Sequence, residues 1–139
     1  GALVAETVAA EKWMYSVLAA DTTLTGAVGT RIYAYTAPES AAFPLVLFGQ
    51  QSATDLMGVG TYRIWTNMLY VVRVVGETAS MAGVQTIANR IDTVLHAASG
   101  SNVDGIVYAC VRVQPFALSE TISGRQFRHL GGIYRLFVK

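Results

Sequence analysis

The sequence predicts an α+β domain: a single, mostly antiparallel four-stranded sheet with two main helices packed on one face. Three observations carry this. Residues 62–75 are rich in aromatic and β-branched residues and contain no Pro or Gly, the composition of one long strand. Residues 3–20 and 78–96 read as helices, the first Ala-rich without Gly or Pro, the second with apolar residues at 3,4 spacing. Two further extended runs, 105–116 and 125–138, close the chain as a hairpin.

Taken in order, the first helix has Glu6 in its opening turns, where the helix dipole favours acid. Its apolar arc is wide: only Ala5, Ala9, Lys12 and Ser16 form a bland strip, so burial on more than one side is expected. Asp21 can cap a short helical turn that Gly29 ends. Residues 31–35 form a short extended piece, and residues 36–42, with Pro38, a loop. A strand starts at Phe43-Pro44 and runs to about residue 52, Pro being tolerated at a strand's start or edge. Residues 53–61 read as a loop leading into the long strand, which Gly76 and Glu77 break. After the second helix, residues 97–104 read as a loop. Residues 117–124 join the last two strands, and Gly131-Gly132 marks a bulge or a close backbone approach. No internal repeat or linker divides the 139 residues, which form one domain.

Strand alternation sorts the long strand into two faces. One carries Tyr62, Ile64, Thr66, Met68, Tyr70, Val72 and Val74. The other carries Arg63, Trp65, Asn67, Leu69, Val71, Arg73 and Val75, too apolar for a solvated face. Two helices cannot cover both faces of such a sheet. Charged residues make up only 14% of the chain, against a usual ~25%, which also points to surface hidden in an assembly. Charge is segregated: residues 1–60 sum to −3 and residues 61–139 to +4. Opposite ends of neighbouring subunits are therefore expected to attract.

Candidates for chemistry are few. His96 ends a helix and His129 lies in a strand beside Arg128; with Cys110 alone, no metal or nucleophile constellation forms. A net charge of +1 gives no general drive toward nucleic acid, and the aromatics near Arg63 and Arg73 are read as core and interface rather than a stacking platform. No apolar run reaches the length of a membrane span, and no secretory signal is expected. No catalytic residue, cofactor or metal is assigned.

The run Asp21-x-x-Leu24-x-x-x-Val28-Gly29-x-Arg31-Ile32-Tyr33, followed by Phe43-Pro44-Leu45-Val46, resembles the tail-completion, or tail-terminator, proteins of long-tailed bacteriophages. The later order of elements, ending in Gly132-Ile133-Tyr134-Arg135, resembles them too. The long strand departs from the pattern, with Arg63 and Arg73 where members often carry acid. The resemblance implies a non-enzymatic virion protein, assembled in the host cytoplasm. It would form a homo-oligomeric ring, usually hexameric, that caps the head-proximal end of the tail tube and joins it to a neck or connector protein. DNA would pass through without sequence-specific contact. The subunit interface is expected at Arg63, Trp65, Leu69, Val71 and Arg73, with the arginines meeting acids of a neighbour. Docking loops are expected at residues 53–61, with Asp55, Gly58 and Gly60, and at residues 117–124, with Glu120 and Gly124. The alternatives are another neck component, or a small-ligand-binding α+β domain whose second sheet face lines a pocket.

Overall fold

The computed structural model describes residues 5–139, so Leu3 and Val4 of the expected first helix lie outside the described residues. The domain is α+β, as expected, but its curled sheet has six strands and is mixed, in the order β1-β2-β3-β6-β5-β4. The strands are β1 (Ile32–Ala34), β2 (Leu45–Met57), β3 (Arg63–Glu77), β4 (Ala98–Asn102), β5 (Gly105–Ile122) and β6 (Arg125–Val138). The helices are α1 (Ala5–Ala20), α2 (Thr22–Val28) and α3 (Gln85–Leu95), with a 3₁₀ turn at Met81–Gly83. The two expected hairpins, β2–β3 and β5–β6, are present and join through an antiparallel β3–β6 ladder.

The four-stranded expectation fails at both edges. β1 pairs in parallel with β2, Ile32 opposite Val46. β4 lies where a loop was expected, because its Ala-Ser-Gly-Ser-Asn sequence has no strand signature of its own. Pairing with β5 and the packing of α1 impose the strand: a side chain at Gly100 would collide with the Trp13 indole, 2.6 Å from its Nε1.

The middle strands also run longer than their composition suggests. Residues 53–57 extend β2, and residues 117–122 extend β5, through pairing with β3 and β6. The two expected loops therefore shrink to tight tips. Gly76 and Glu77 do not break β3; they pair with Arg128 and Phe127 of β6. The chain turns at Thr78–Ser80 instead, so α3 starts at Gln85 and not near Thr78.

α1, α2 and α3 all lie on one sheet face, the helix face. Its core joins Phe48, Met68, Tyr70, Val72, Tyr134 and Leu136 to Trp13, Met14, Leu18, Leu24, Ile91 and Leu95. Asp21 caps α2 as expected, accepting from the Leu24 N–H at 2.8 Å, and Gly29 ends it at φ +61°. The burial of α1 differs from the expected arc. Ala9 is fully buried, while Val8 and Tyr15 are exposed. Small residues explain this: a Cβ at Gly105 would lie 3.1 Å from that of Ala9, and the Asn102 amide donates to the Ala9 carbonyl at 3.0 Å. The Gly131-Gly132 expectation is met as a close approach. A Cβ on Gly131 would overlap the Val72 carbonyl oxygen and lie 2.7 Å from Arg73 Cα in β3.

Candidate functional site

The other sheet face, the open face, has no helix on it among the described residues. Register places Trp65, Asn67, Leu69, Val71, Arg73 and Val75 of β3 there, opposite Phe137, Arg135, Ile133, Gly131 and His129 of β6 from Asn67 onward. The predicted division of the long strand into two faces therefore holds from Trp65 to Val75, whereas Tyr62, expected on the core face, lies in the hairpin tip and is exposed. Trp65 stacks against Phe137, with ring centroids 5.2 Å apart, and reaches Tyr108 at 6.5 Å. Leu69 and Val71 are half-buried beside them.

One end of this face is covered by the chain itself. Residues 36–44 fold over Leu45, Val75 and Phe127, with Phe43 and Phe127 rings 5.0 Å apart. A cavity of about 230 Å³ remains under that segment, between Phe43, Ile122 and His129. The Pro38-containing stretch thus contributes apolar cover that a loop reading does not convey; Phe43 and the flanking alanines were the available signal.

Arg63 and Arg73 have partners within the subunit. The Arg63 guanidinium lies 3.8 Å from Asp55 across the hairpin. Arg73 lies over the Phe116 ring at 5.5 Å and donates through Nε to His129 Nδ1 at 3.0 Å. His129 Nε2 then meets Glu120 at 2.7 Å. With Nδ1 accepting from arginine, the ring proton sits on Nε2 and is donated to the carboxylate. His129 is only 6% exposed. Its two nitrogens are both engaged, which leaves neither to serve as a general base. Nothing in the sequence links His129 to Glu120; the link lies in the register, which sets His129 opposite both Val75 and Leu118.

His96 accepts from the backbone N–H of Arg112 at 3.1 Å, where β4 stops covering β5. Cys110 is fully buried, and burial pushes its thiol up to about 12, so it is unreactive. A groove of about 610 Å³ runs between α3 and the β5–β6 hairpin on the helix face. Its polar groups satisfy one another: the Tyr134 hydroxyl donates to Asp92 at 2.9 Å, and Arg112 lies 3.9 Å from the same carboxylate. They do not converge on an empty point, as a ligand site requires. Among the described residues no cluster of His, Cys, Asp or Glu is placed to hold a metal. Among the described residues no helix is long and apolar enough to cross a membrane.

The segregated charges meet in part inside the subunit. Asp21 pairs with Arg90 and Asp55 with Arg63, while Lys12 pairs with Asp104 in the opposite sense. The Arg90 hydrogen bonds hold the Asp21 carboxyl below its ordinary value, against a smaller opposing effect of burial.

The hairpin tips differ from the expected docking loops. Asp55 and Glu120 lie in strands, Asp55 accepting from Thr66 Oγ1 at 2.8 Å. The β2–β3 tip is residues 58–62, with Gly60 at φ +66°, Val59 97% exposed and Tyr62 60% exposed. The β5–β6 tip is Ser123-Gly124, both at positive φ, as a two-residue type I′ turn requires. Register sets the tips at opposite ends of the sheet, because Arg63 lies at the end where β6 finishes and Glu77 opposite Phe127 at the other.

The sequence matches the family model of tail completion protein gp17 over residues 12–120. The chain belongs to this family. It is a structural protein of a bacteriophage-type tail and a virion component. Among solved structures, a chain of the virion of a native gene transfer agent (GTA) particle shares its fold. That chain is 21% identical with a TM-score of 0.79, covering 97% of this chain and 98% of its own length. No curated protein matches the sequence.

Proposed function

We propose that the chain is a ring subunit, six to a ring, that caps the head-proximal end of the tail tube and joins the tail to the neck. The observation that carries this is the open face: an aromatic and aliphatic surface centred on Trp65, Leu69 and Val71, on a family member whose helices all lie on the other side. A stripe of this kind is costly to leave in water and suits a contact between copies. Arg63 and Arg73 frame it while paired within their own subunit, so the contact rests on the apolar groups. The two hairpin tips support a connecting role. They point from opposite ends of the sheet, so one is available to the tail tube and the other to the neck protein. The ring is assembled in the host cytoplasm, and DNA crosses it without base-specific contacts.

Solution mass and negative-stain images of the purified protein test this. The expected result is a closed ring of about six chain masses. A protein that stays monomeric at high concentration, and is monomeric in its tails, would overturn it. Shortening residues 58–61 or replacing Ser123-Gly124 then separates the two ends: rings should persist, while joining to one partner is lost.

A further inference from the structure

The sheet has two half-open edges. β1 covers β2 only at residues 46–48, so among the described residues β2 is unpaired on its outer side from Gly49 to Met57. β4 covers β5 only as far as Cys110 and His96 takes the Arg112 N–H, so among the described residues β5 is unpaired on its outer side beyond Arg112, to Ile122. We propose that these two open edges pair with each other between copies. The open edge of β2 in one subunit would add antiparallel to the open edge of β5 in the next, so that one sheet continues into its neighbour. This deepens the ring reading and rests on it.

The backbone polarity of the two edges fits. In β2 the Val46 N–H donates to Arg31 at 2.9 Å and the Phe48 carbonyl accepts from Tyr35 at 2.8 Å. Even-numbered residues therefore face outward there. The irregularity between Gln50 and Ser52 shifts the count by one, so Ala53 and Asp55 face outward further on. In β5 the Cys110 carbonyl accepts from Ala97 at 2.7 Å and the Arg112 N–H donates to His96 at 3.1 Å. The irregularity between Arg112 and Gln114 then turns Pro115, Ala117, Ser119 and Thr121 outward. In an antiparallel ladder, directly opposed residues share a face. Ala53 and Asp55 sit opposite Met68 and Thr66, and Ala117 and Ser119 opposite Leu130 and Arg128; all lie on the helix side. The edges pass a requirement that a mismatch of one residue would break.

Direction and offset also fit. β2 runs from the Val75 end of β3 toward Arg63, and β5 runs the opposite way along β6. Copies standing side by side in one orientation thus present antiparallel edges. The open halves lie at opposite ends of the sheet, so pairing them staggers each copy along the strands. Stagger with strand tilt is what closing a sheet into a barrel demands. The contact joins two different surfaces, the kind that propagates and closes into a ring.

Edge protection is uneven in a telling way. Pro115 stands at an outward position, where its missing N–H costs nothing to its own sheet. The open half of β2 has neither Pro nor Lys, and its ladder with β3 is irregular only at Gln50/Ser52 and Leu56/Met57, an edge that monomeric proteins blunt. Its one charge, Asp55, meets no acid among the outward residues of β5. The pairing would also set Phe116 and Leu118, on the open face of β5, beside Leu56 and Trp65 of the next subunit, continuing the apolar surface.

Cross-linking tests the pairing, with Cys110 buried and silent. Ala53→Cys is combined with Ala117→Cys, Ser119→Cys or Thr121→Cys, three registers in steps of two. One combination should give, on mild oxidation, a reducible ladder of multimers ending at the ring. Ala53→Pro, with its far-ultraviolet spectrum and melting unchanged, should abolish rings. Rings that form with no ladder in any register and are indifferent to Ala53→Pro would overturn the pairing and leave the ring standing. Ala53→Pro rings that form but fail to attach to tails would also overturn it, assigning the edge to a partner protein. A wild-type chain that forms no assembly would remove the ring reading and the pairing together.

Discussion

Val71 and Val72 are the same residue type, adjacent in the same strand. Val72 is fully buried beneath the helices, while Val71 faces the other way and is half-buried beside Leu69 and Trp65. The two faces of the sheet have similar apolar composition and different cover. Burial within the subunit explains only one of them. For the other, apart from the end that residues 36–44 close over, the proposed contact between copies would supply a second burial. An apolar alternation on both faces of a strand is therefore information about partners as much as about the core.

The largest effect is expected where the two hairpins join. Gly131→Ala would drive a methyl group into the Val72 carbonyl and Arg73 Cα. Both are backbone atoms of a central strand and cannot step aside. The expected cost exceeds ~4 kcal/mol, the range of severe backbone and packing lesions, seen as insoluble protein or loss of the cooperative unfolding transition. A soluble variant with unchanged melting would mean that the β3–β6 ladder is looser than its register.

Next comes the open face itself. Trp65→Asp should leave a folded subunit, because Trp65 lies outside the core beneath the helices and its ring contacts are to Phe137 and Tyr108. It should weaken association by ~2 kcal/mol or more, as for an aromatic anchor at an interface. Light scattering and circular dichroism on one sample separate the outcomes. Unchanged assembly would assign this face to some other contact.

The sharpest form of the comparison is the valine pair. Val72→Ala removes two buried methyl groups under the helices and should cost about 2 kcal/mol in urea unfolding of the subunit. Val71→Ala should cost well under 1 kcal/mol there, and show its effect in ring dissociation instead. Equal costs in the isolated subunit would mean that both faces are core.

Much of this was legible beforehand. Alternation in residues 62–75 assigned both faces, Asp21 and Gly29 marked the ends of α2, and Gly131 marked the close approach. These features are local, or obey a fixed period. What was not legible depends on pairing. The extension of β2 through Ala53–Met57 and the whole of β4 consist of small and polar residues that become strand only because a neighbour supplies the ladder. The Arg73–His129–Glu120 contact was hidden for the same reason, since 56 and 9 residues separate its members along the chain. Treating Asp55 and Glu120 as loop acids followed from the same missing ladders.

A charged staple on each face allows a last, smaller test. On the open side it is Arg73 with His129 and Glu120; on the helix side it is Asp21, which joins the start of α2 to Arg90 of α3 at 2.8 Å through Nε. The Arg90 hydrogen bonds lower the Asp21 pKa in the folded protein from 3.8. A carboxyl with a depressed folded pKa stabilises the fold at pH above its unfolded value. That contribution fades as pH falls below 3.8 and through the lower folded value. Asp21→Asn keeps a side-chain oxygen for the Leu24 N–H, so it removes the charge and spares the cap. At neutral pH the variant should melt a few degrees below the wild type, because a half-exposed pair is screened and modest. Added salt should narrow the gap, and acidification below 3.8 should close it. A gap that persists unchanged through that range would show that packing around Asp21, and not its pairing with Arg90, holds α2 to α3.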